Sequence, residues 1–455
     1  MRAQSIVDAL ARLEPAVRVA GREYKPASIE QLMQDNNVAA VSIAVIDDGQ
    51  IVWAKAFGQA DTSTGQAATA GTLFQAASVS KPVAASGALV LVEQGKAKLD
   101  APVNEQLTSW RIPDSAVSPG SAVMLRHLLT HTGGLTVHGF GGYEAGLPMP
   151  SLLQVLNGEK PANSNPVRID LKPGSEWRYS GGGFTVLQQL MSDVSGAAFP
   201  DLMDTLVLKP VGMTASTYRQ PLPDDRAALA ATAHLGTGTP IKGRFHIYPE
   251  MAAAGLWTTP TDLARWVNSL TAAYNGASGE VLQSTTARQM LTPGNGDWGL
   301  GLEVRGQGQE FRFSHSGANE GFRSLMIGYP TRRDGVVVMA NSDSGGSLFG
   351  PINIALAKVL GWTEVKPRVL TPAPLAAKDR AAILGRYRQG PITVDIAMKG
   401  DRIIATQDGS AFELVPVGTD LFASPDVGLR LKFTRDASTG QVTGLSSGGI
   451  TLVRQ

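Results

Sequence analysis

Phe74-Gln75-Ala76-Ala77-Ser78-Val79-Ser80-Lys81-Pro82-Val83-Ala84-Ala85 is the stretch that decides the fold. A serine opens an apolar run that continues to about Gln94 and stops at Gly95. Ser78 suits an N-cap, Pro82 is tolerated in a first turn, and Gly95 suits the position just past a helix. The pattern predicts a helix from Ser78 to Gln94. Three-residue spacing puts Lys81 above Ser78 on one helical face, within reach of its hydroxyl. A serine hydroxyl is a weak nucleophile near neutral pH and needs an adjacent base. Lysine serves as that base only when burial or nearby positive charge lowers its pKa. The apolar flanks favour such burial. In a wetter setting Ser78 would simply cap the helix and Lys81 would be solvated.

Upstream of this stretch, Ala39–Val45 and Gln50–Ala56 are β-rich runs joined by Asp47-Asp48-Gly49, which is hairpin chemistry. Residues 1–36 read as an amphipathic helical lead-in. Downstream, about 100–300 is helix and loop, punctuated by turns such as Lys172-Pro173-Gly174. β-Character returns at Gly299–Val304, Arg312–Ser316, Ser324–Tyr329 and Gly335–Ala340, and a helical pattern at Ile352–Leu360 closes a domain of residues 37–364. That order predicts an α/β fold, a sheet with strands from both ends of the domain and a mainly helical subdomain beside it. Residues 365–375 are Pro-rich and read as a linker. A short helix at Ala376–Gly385 is followed by closely spaced runs at Ile392–Met398, Arg402–Gln407, Ala411–Pro416, Leu429–Thr434 and Gly449–Val453. Residues 376–455 therefore read as a small antiparallel sheet or barrel.

The totals narrow the chemistry. Lys plus Arg (40) balance Asp plus Glu (39), so no basic field points to nucleic acid or an anionic membrane surface. The 455 residues include no cysteine, which excludes disulfides, thiolate metal sites and a cysteine nucleophile. No run approaches the roughly 18 consecutive apolar residues of a membrane span. The N-terminus has no signal-peptide pattern, so the chain as written is expected in the cytoplasm; a chain whose leader had been removed to reach the periplasm or exterior would look the same.

Two further segments carry chemistry. In Trp177-Arg178-Tyr179-Ser180-Gly181-Gly182-Gly183 a tyrosine at a glycine-rich turn can present its phenol to a cleft and, beside a cationic lysine, act as a base. In Phe313-Ser314-His315-Ser316-Gly317 a β-run ends in small residues that let a substrate backbone approach. Taken singly, Tyr179 is explained as a packed aromatic and His315 as a structural histidine.

Taken together, six ordered pieces resemble the class C β-lactamases and their S12-type serine peptidase relatives, the DD-peptidases, D-aminopeptidases and β-lactamase-like carboxylesterases. They are Ala77-Ser78-Val79-Ser80-Lys81, Arg126–Leu135 (RHLLTHTGGL), Lys172-Pro173-Gly174, Tyr179-Ser180, Ala254-Gly255-Leu256 with Thr261-Asp262-Leu263-Ala264, and His315-Ser316-Gly317. The resemblance implies a β-lactamase/DD-transpeptidase-like domain in which Ser78 is acylated and Lys81 and Tyr179 share proton transfer, either being the base. It also implies an oxyanion hole of the Ser78 and Ala318 backbone N–H groups, two donors of a kind worth several kcal/mol. Ser316, Gly317 and Gly181 fall at substrate-binding positions. His315 replaces the lysine of class C enzymes, and Gly181 replaces an asparagine that normally contacts the substrate's acylamino group. Both departures favour a peptidase or esterase over a true β-lactamase, with weak β-lactam turnover. A catalytically idle penicillin-binding scaffold is the non-enzymatic alternative. Residues 376–455 resemble the small lipocalin-like β-domain appended to some relatives.

The expected partner is a small ester, peptide or β-lactam; no cofactor or metal is called for, and a homo-oligomer is allowed. His127 and His131 have a zinc-like spacing, but Leu128 stands where H-E-x-x-H needs glutamate and no third ligand suggests itself. Gly444-Leu445-Ser446-Ser447-Gly448 matches G-x-S-x-G but lacks a following helix and histidine. His138–Tyr143 reads either as cleft lining or as a surface loop.

Overall fold

In a computed structural model of the protein, which describes residues 2–119, 122–277, 279–390, 392–407, 410–425, 428–447 and 450–455, Asp48 and Gly49 both take left-handed backbone, with φ of 48° and 75°. Two successive positive φ values make the hairpin turn whose twist suits paired strands. Ala40–Asp47 (β1) therefore folds straight back on Gln50–Asp61 (β2). Gln66–Ala67 (β3) adds to β2, and Glu303–Arg305 (β4), Arg312–Asn319 (β5), Phe322–Tyr329 (β6) and Asp334–Ala340 (β7) come from far along the chain. All pair antiparallel in the order β3-β2-β1-β7-β6-β5-β4. The sheet thus takes strands from both ends of the domain. β7 is buried along its whole length, so both of its faces are covered.

Five helices support the cleft and the sheet: Ser80–Glu93 (α1), Leu125–Leu129 (α2), Gly181–Ser195 (α3), Met251–Ala254 (α4) and Pro260–Tyr274 (α5). α5 lies on β1, β2, β6 and β7. α1 is buried from Ser80 to Leu91, as an all-round apolar helix must be. Trp266 on α5 donates its indole N–H to Ser86 Oγ on α1 at 3.1 Å, which satisfies two polar groups inside that core.

By their internal contacts the residues form two compact units, one of Glu30–Phe349 with the N-terminal residues through Ile6, the other of Val7–Ile29 with Gly350–Gln455. In the second unit Val17–Val19 pairs in parallel with Arg368–Leu370. Eight strands then close a barrel in sequence order: Gly385–Gln389 (β8), Ile392–Lys399 (β9), Arg402–Gln407 (β10), Ser410–Gly418 (β11), Leu421–Ala423 (β12), Arg430–Arg435 (β13), Val442–Ser447 (β14) and Ile450–Arg454 (β15). β15 closes the ring by returning to β8. Tyr387, Ile396, Phe412, Phe422, Phe433 and Leu445 belong to its core, as an eight-stranded barrel filled by side chains requires. Gly444–Ser447 of the G-x-S-x-G match lie on β14, and Gly448 lies outside the described residues.

Candidate active site

The segment Phe74–Gln75 pairs with Trp257–Thr258, and Ala76 N–H continues the ladder to the Leu256 carbonyl at 2.8 Å. This fixes the approach to Ser78. Ala77 then takes φ +50°, a left-handed conformation that costs an alanine strain. Ser78 sits inside a 3₁₀ turn, Ala77–Val79, and α1 begins only at Ser80. The expectation that Ser78 caps the helix is therefore corrected. Neither the turn nor α1 has a side-chain cap, and the Ser78 hydroxyl is left for other partners.

Lys81 is one of them. Its Nζ lies 3.0 Å from Ser78 Oγ and 2.8 Å from the Ala253 carbonyl on α4, and the side chain is 2% exposed. Burial lowers its pKa to about 7, because the protein interior penalises the charged amine. α4 is itself held in place. Gln188 on α3 accepts from Ala252 N–H and donates to the Pro249 carbonyl, and Asn319 donates to the Ala254 carbonyl. Ser80 Oγ accepts from Leu256 N–H at 3.0 Å.

Tyr179 stands beside Ser78 and Lys81 and lines the same cavity. Burial pushes the phenol above its ordinary pKa, and the neighbouring Ser78 side chain opposes that only in part. Lys81 Nζ lies 5.0 Å from the Tyr179 ring centre, the range of a cation–π contact. The tyrosine sits just before the N-cap of α3, where Ser180 Oγ accepts from Gly183 N–H at 3.0 Å. The glycines that follow make close packing possible. A Cβ on Gly181 would meet the His138 carbonyl at 3.0 Å and the Phe140 ring at 3.1 Å, and one on Gly182 would meet the Thr136 carbonyl at 2.7 Å. Residues 138–140 thus occupy the space into which an asparagine at 181 would reach.

β4 pairs only with Arg312–Ser314 of β5, so from His315 onward that edge of β5 has no strand partner among the described residues. His315 Nδ1 lies 2.6 Å from the Ser316 carbonyl. A carbonyl only accepts, so the proton is on Nδ1 and Nε2 carries a lone pair. Burial, helped by the charge of Lys81, lowers the His315 pKa to about 3. Gly317 meets protein: a Cβ there would lie 2.3 Å from the Ala76 carbonyl and 2.4 Å from Ser324 Oγ. Its bare backbone lets the Ala76–Ser78 turn seat against β5, and Ser324 Oγ donates to that same Ala76 carbonyl at 2.6 Å.

Ser78, Lys81, Tyr179, His315, Ser316, Gly317 and Ala318 all line one cavity of about 740 Å³; Gly181 does not. Trp298, Trp177 and the stretch His138–Phe140 complete an aromatic wall. His138–Phe140 belongs to the stretch that reads either as cleft lining or as a surface loop, whereas no sequence pattern marks Trp298. The two charged side chains there besides Lys81 are both paired, Glu303 with Arg305 at 2.7 Å and Arg323 with Asp343 at 2.9 Å. Of the histidines weighed for zinc, His127 Nδ1 accepts from Met124 N–H and His131 Nδ1 from Ser180 N–H.

Comparison with known proteins gives the family and the fold. The β-lactamase family model matches residues 27–360. Esterase EstB of Burkholderia gladioli is 27% identical over 317 residues, spanning 63% of this chain and 77% of that protein. The D-alanyl-D-alanine-carboxypeptidase/endopeptidase AmpH of Escherichia coli K12 is 23% identical over 326 residues, spanning 68% of this chain and 81% of that one. Among solved structures, the octameric penicillin-binding protein homologue from Pyrococcus abyssi superposes with a TM-score of 0.63 at 22% identity, covering 94% of this chain and 98% of that one.

Proposed function

We propose, from the premise that the chain belongs to the β-lactamase family and is a serine hydrolase, that it cleaves small esters and amides through an acyl-Ser78 intermediate, uncharged esters best. The observation that carries this is the buried Lys81 amine, with Nζ 3.0 Å from Ser78 Oγ and 5.0 Å from the Tyr179 ring centre, in one cavity with both. With the amine neutral, the same contact runs with the serine hydroxyl donating. Ser78 Oγ then attacks the substrate carbonyl carbon while its proton passes to the Lys81–Tyr179 pair. The Ser78 and Ala318 N–H groups hold the oxyanion. The bond to the leaving alcohol or amine breaks as the leaving group takes the proton. Water next adds to the acyl carbon and releases the acid and free Ser78.

The substrate preference follows from charge. A substrate carboxylate, as in a D-alanyl peptide or a β-lactam, would meet the neutral lone pair of His315 and an arginine already paired to Asp343. An ester with an uncharged leaving group loses nothing by that arrangement. The similarity to an esterase and to a D-alanyl-D-alanine carboxypeptidase supports both ester and peptide chemistry. Rates for p-nitrophenyl acetate, D-alanyl-p-nitroanilide and nitrocefin, with Ser78→Ala as the blank, test the order. The acetate is expected fastest and nitrocefin slowest; nitrocefin turnover orders of magnitude above the other two would reverse the assignment. A fluorophosphonate adduct seen by intact mass and lost in Ser78→Ala is expected; no adduct under any condition would favour an idle scaffold.

A further inference from the structure

His131 ends α2 in an unusual way. Thr132 N–H reaches the His127 carbonyl at 3.0 Å and His131 N–H reaches the Leu128 carbonyl at 3.4 Å, which is the Schellman pattern of a helix C-terminus. The residue just past the cap in that pattern is usually glycine, because its φ is positive. Here it is histidine at φ +56°. Glycine would hold the turn without strain, so the side chain has to account for the residue. The residue is 2% exposed and engages both flanks of Tyr179, one through its backbone carbonyl and the other through its ring. The His131 carbonyl accepts from Arg178 N–H at 2.8 Å, and its Nδ1 accepts from Ser180 N–H at 3.1 Å. Between those two bonds the imidazole lies over the Tyr179 ring, with centroids 4.2 Å apart.

We infer that His131 is a positioning residue that fixes the Tyr179 phenol beside Ser78 by gripping the backbone on both sides of the tyrosine and stacking on its ring. Because Nδ1 accepts, the neutral ring carries its proton on Nε2. Burial and the charge of Lys81 keep the ring neutral, and protonation would set an N–H against the Ser180 N–H. The inference rests on Tyr179 sharing the proton transfer with Lys81.

Two variants separate the two contacts. His131→Asn keeps a short acceptor and tolerates positive φ, but removes the ring; His131→Phe keeps a ring and removes the acceptor. With p-nitrophenyl acetate, and rates expressed per fluorophosphonate-labelled site, each is expected to lower kcat about 10- to 100-fold with little change in KM, the size that a small misplacement of a reacting group produces. In the Tyr179→Phe background the same substitutions are expected to cost nothing more, because coupled residues are not additive. Losses that multiply in the double variants, or wild-type kcat in both single variants, would overturn the inference. Full activity of Tyr179→Phe alone would instead remove the proton-transfer reading, and the inference with it. Nitrogen NMR of the histidine side chains in the unaltered protein is an independent check: the Nε2–H form is expected at 131, and an Nδ1–H form would contradict the grip on Ser180.

Discussion

At the scale of single residues the site is governed by one buried amine. Lys81 near pKa 7 is half neutral close to physiological pH, the state in which it can take the Ser78 proton. Acylation is therefore expected to fall as pH drops through about 7, read from kcat/KM for p-nitrophenyl acetate. A flat profile from pH 5 to 9 would argue against Lys81 as the titrating base. The same burial weakens the fold. The unfolded lysine keeps its proton up to its ordinary value of 10.5 while the folded one releases it near 7. Between those values the unfolded chain binds more protons, so this group's contribution to stability rises with pH across that window and its penalty is full below it. Lys81→Met should then lower activity by about 10²- to 10⁴-fold. It should also raise the thermal midpoint, most at pH 7 and below and least near pH 10. A midpoint gain that ignored pH would show that the amine is not the source. Tyr179 and His315 respond to the same dry surroundings in opposite senses, the phenol shifted up and the imidazole down, so both are held neutral.

At the scale of elements the active turn depends on what strand β5 lacks. Gly317→Ala would place a methyl group 2.3 Å from the Ala76 backbone oxygen, and a backbone atom cannot swing aside as a long side chain can. A cost of about 1–3 kcal/mol is expected from overpacking. The displaced Ala77–Val79 turn should slow fluorophosphonate labelling of Ser78 by about 100-fold, as misplaced reacting groups do. Wild-type labelling in a stable variant would show the contact to be slack. α4 has its own weak point at Glu250, just before its first residue. The carboxyl is fully buried, has Tyr143 Oη 3.5 Å from Oε1, and is pushed by burial up to about 7. The folded carboxyl keeps its proton over the window from its ordinary 4.5 to about 7, where the unfolded one has lost it. Stability from this group therefore falls as pH rises through that window. Glu250→Gln, which imitates the protonated acid, should gain roughly 1–3 kcal/mol at pH 8 and almost nothing at pH 4. Equal denaturation midpoints at both pH values would sink that account.

At the scale of the whole molecule the barrel-bearing unit takes a strand from the start of the chain. Val17–Val19 pairs with Arg368–Leu370, and Val19 is buried in one cluster with Leu370, Val415 and Ala423. Val19→Asp would bury a carboxylate without a partner, at a cost of about 3–5 kcal/mol. Faster hydrogen exchange at 368–370 and in β11 is the expected sign, and unchanged protection there would refute it. That pairing also marks where the sequence stops being legible. The Ser78–Lys81 relation could be read directly, because consecutive turns fix a three-residue spacing whatever surrounds them. The hairpin at Asp48-Gly49 and five of the eight barrel strands were legible for the same reason: turn chemistry and alternation are local; β8, β12 and β14 were not read. Val17–Val19, in a segment that read as helical, has no local cue for a partner placed after Leu360. Nor could spacing show that Gly317 is bare to admit a backbone oxygen, that His131 grips a tyrosine, or that Trp298 walls the cavity. Sequence alone determined which residues have the chemistry, because helical pitch and side-chain identity are properties of the chain. The tertiary structure decided which of them meet in one cavity, because contacts between remote segments are fixed only by how the whole core packs.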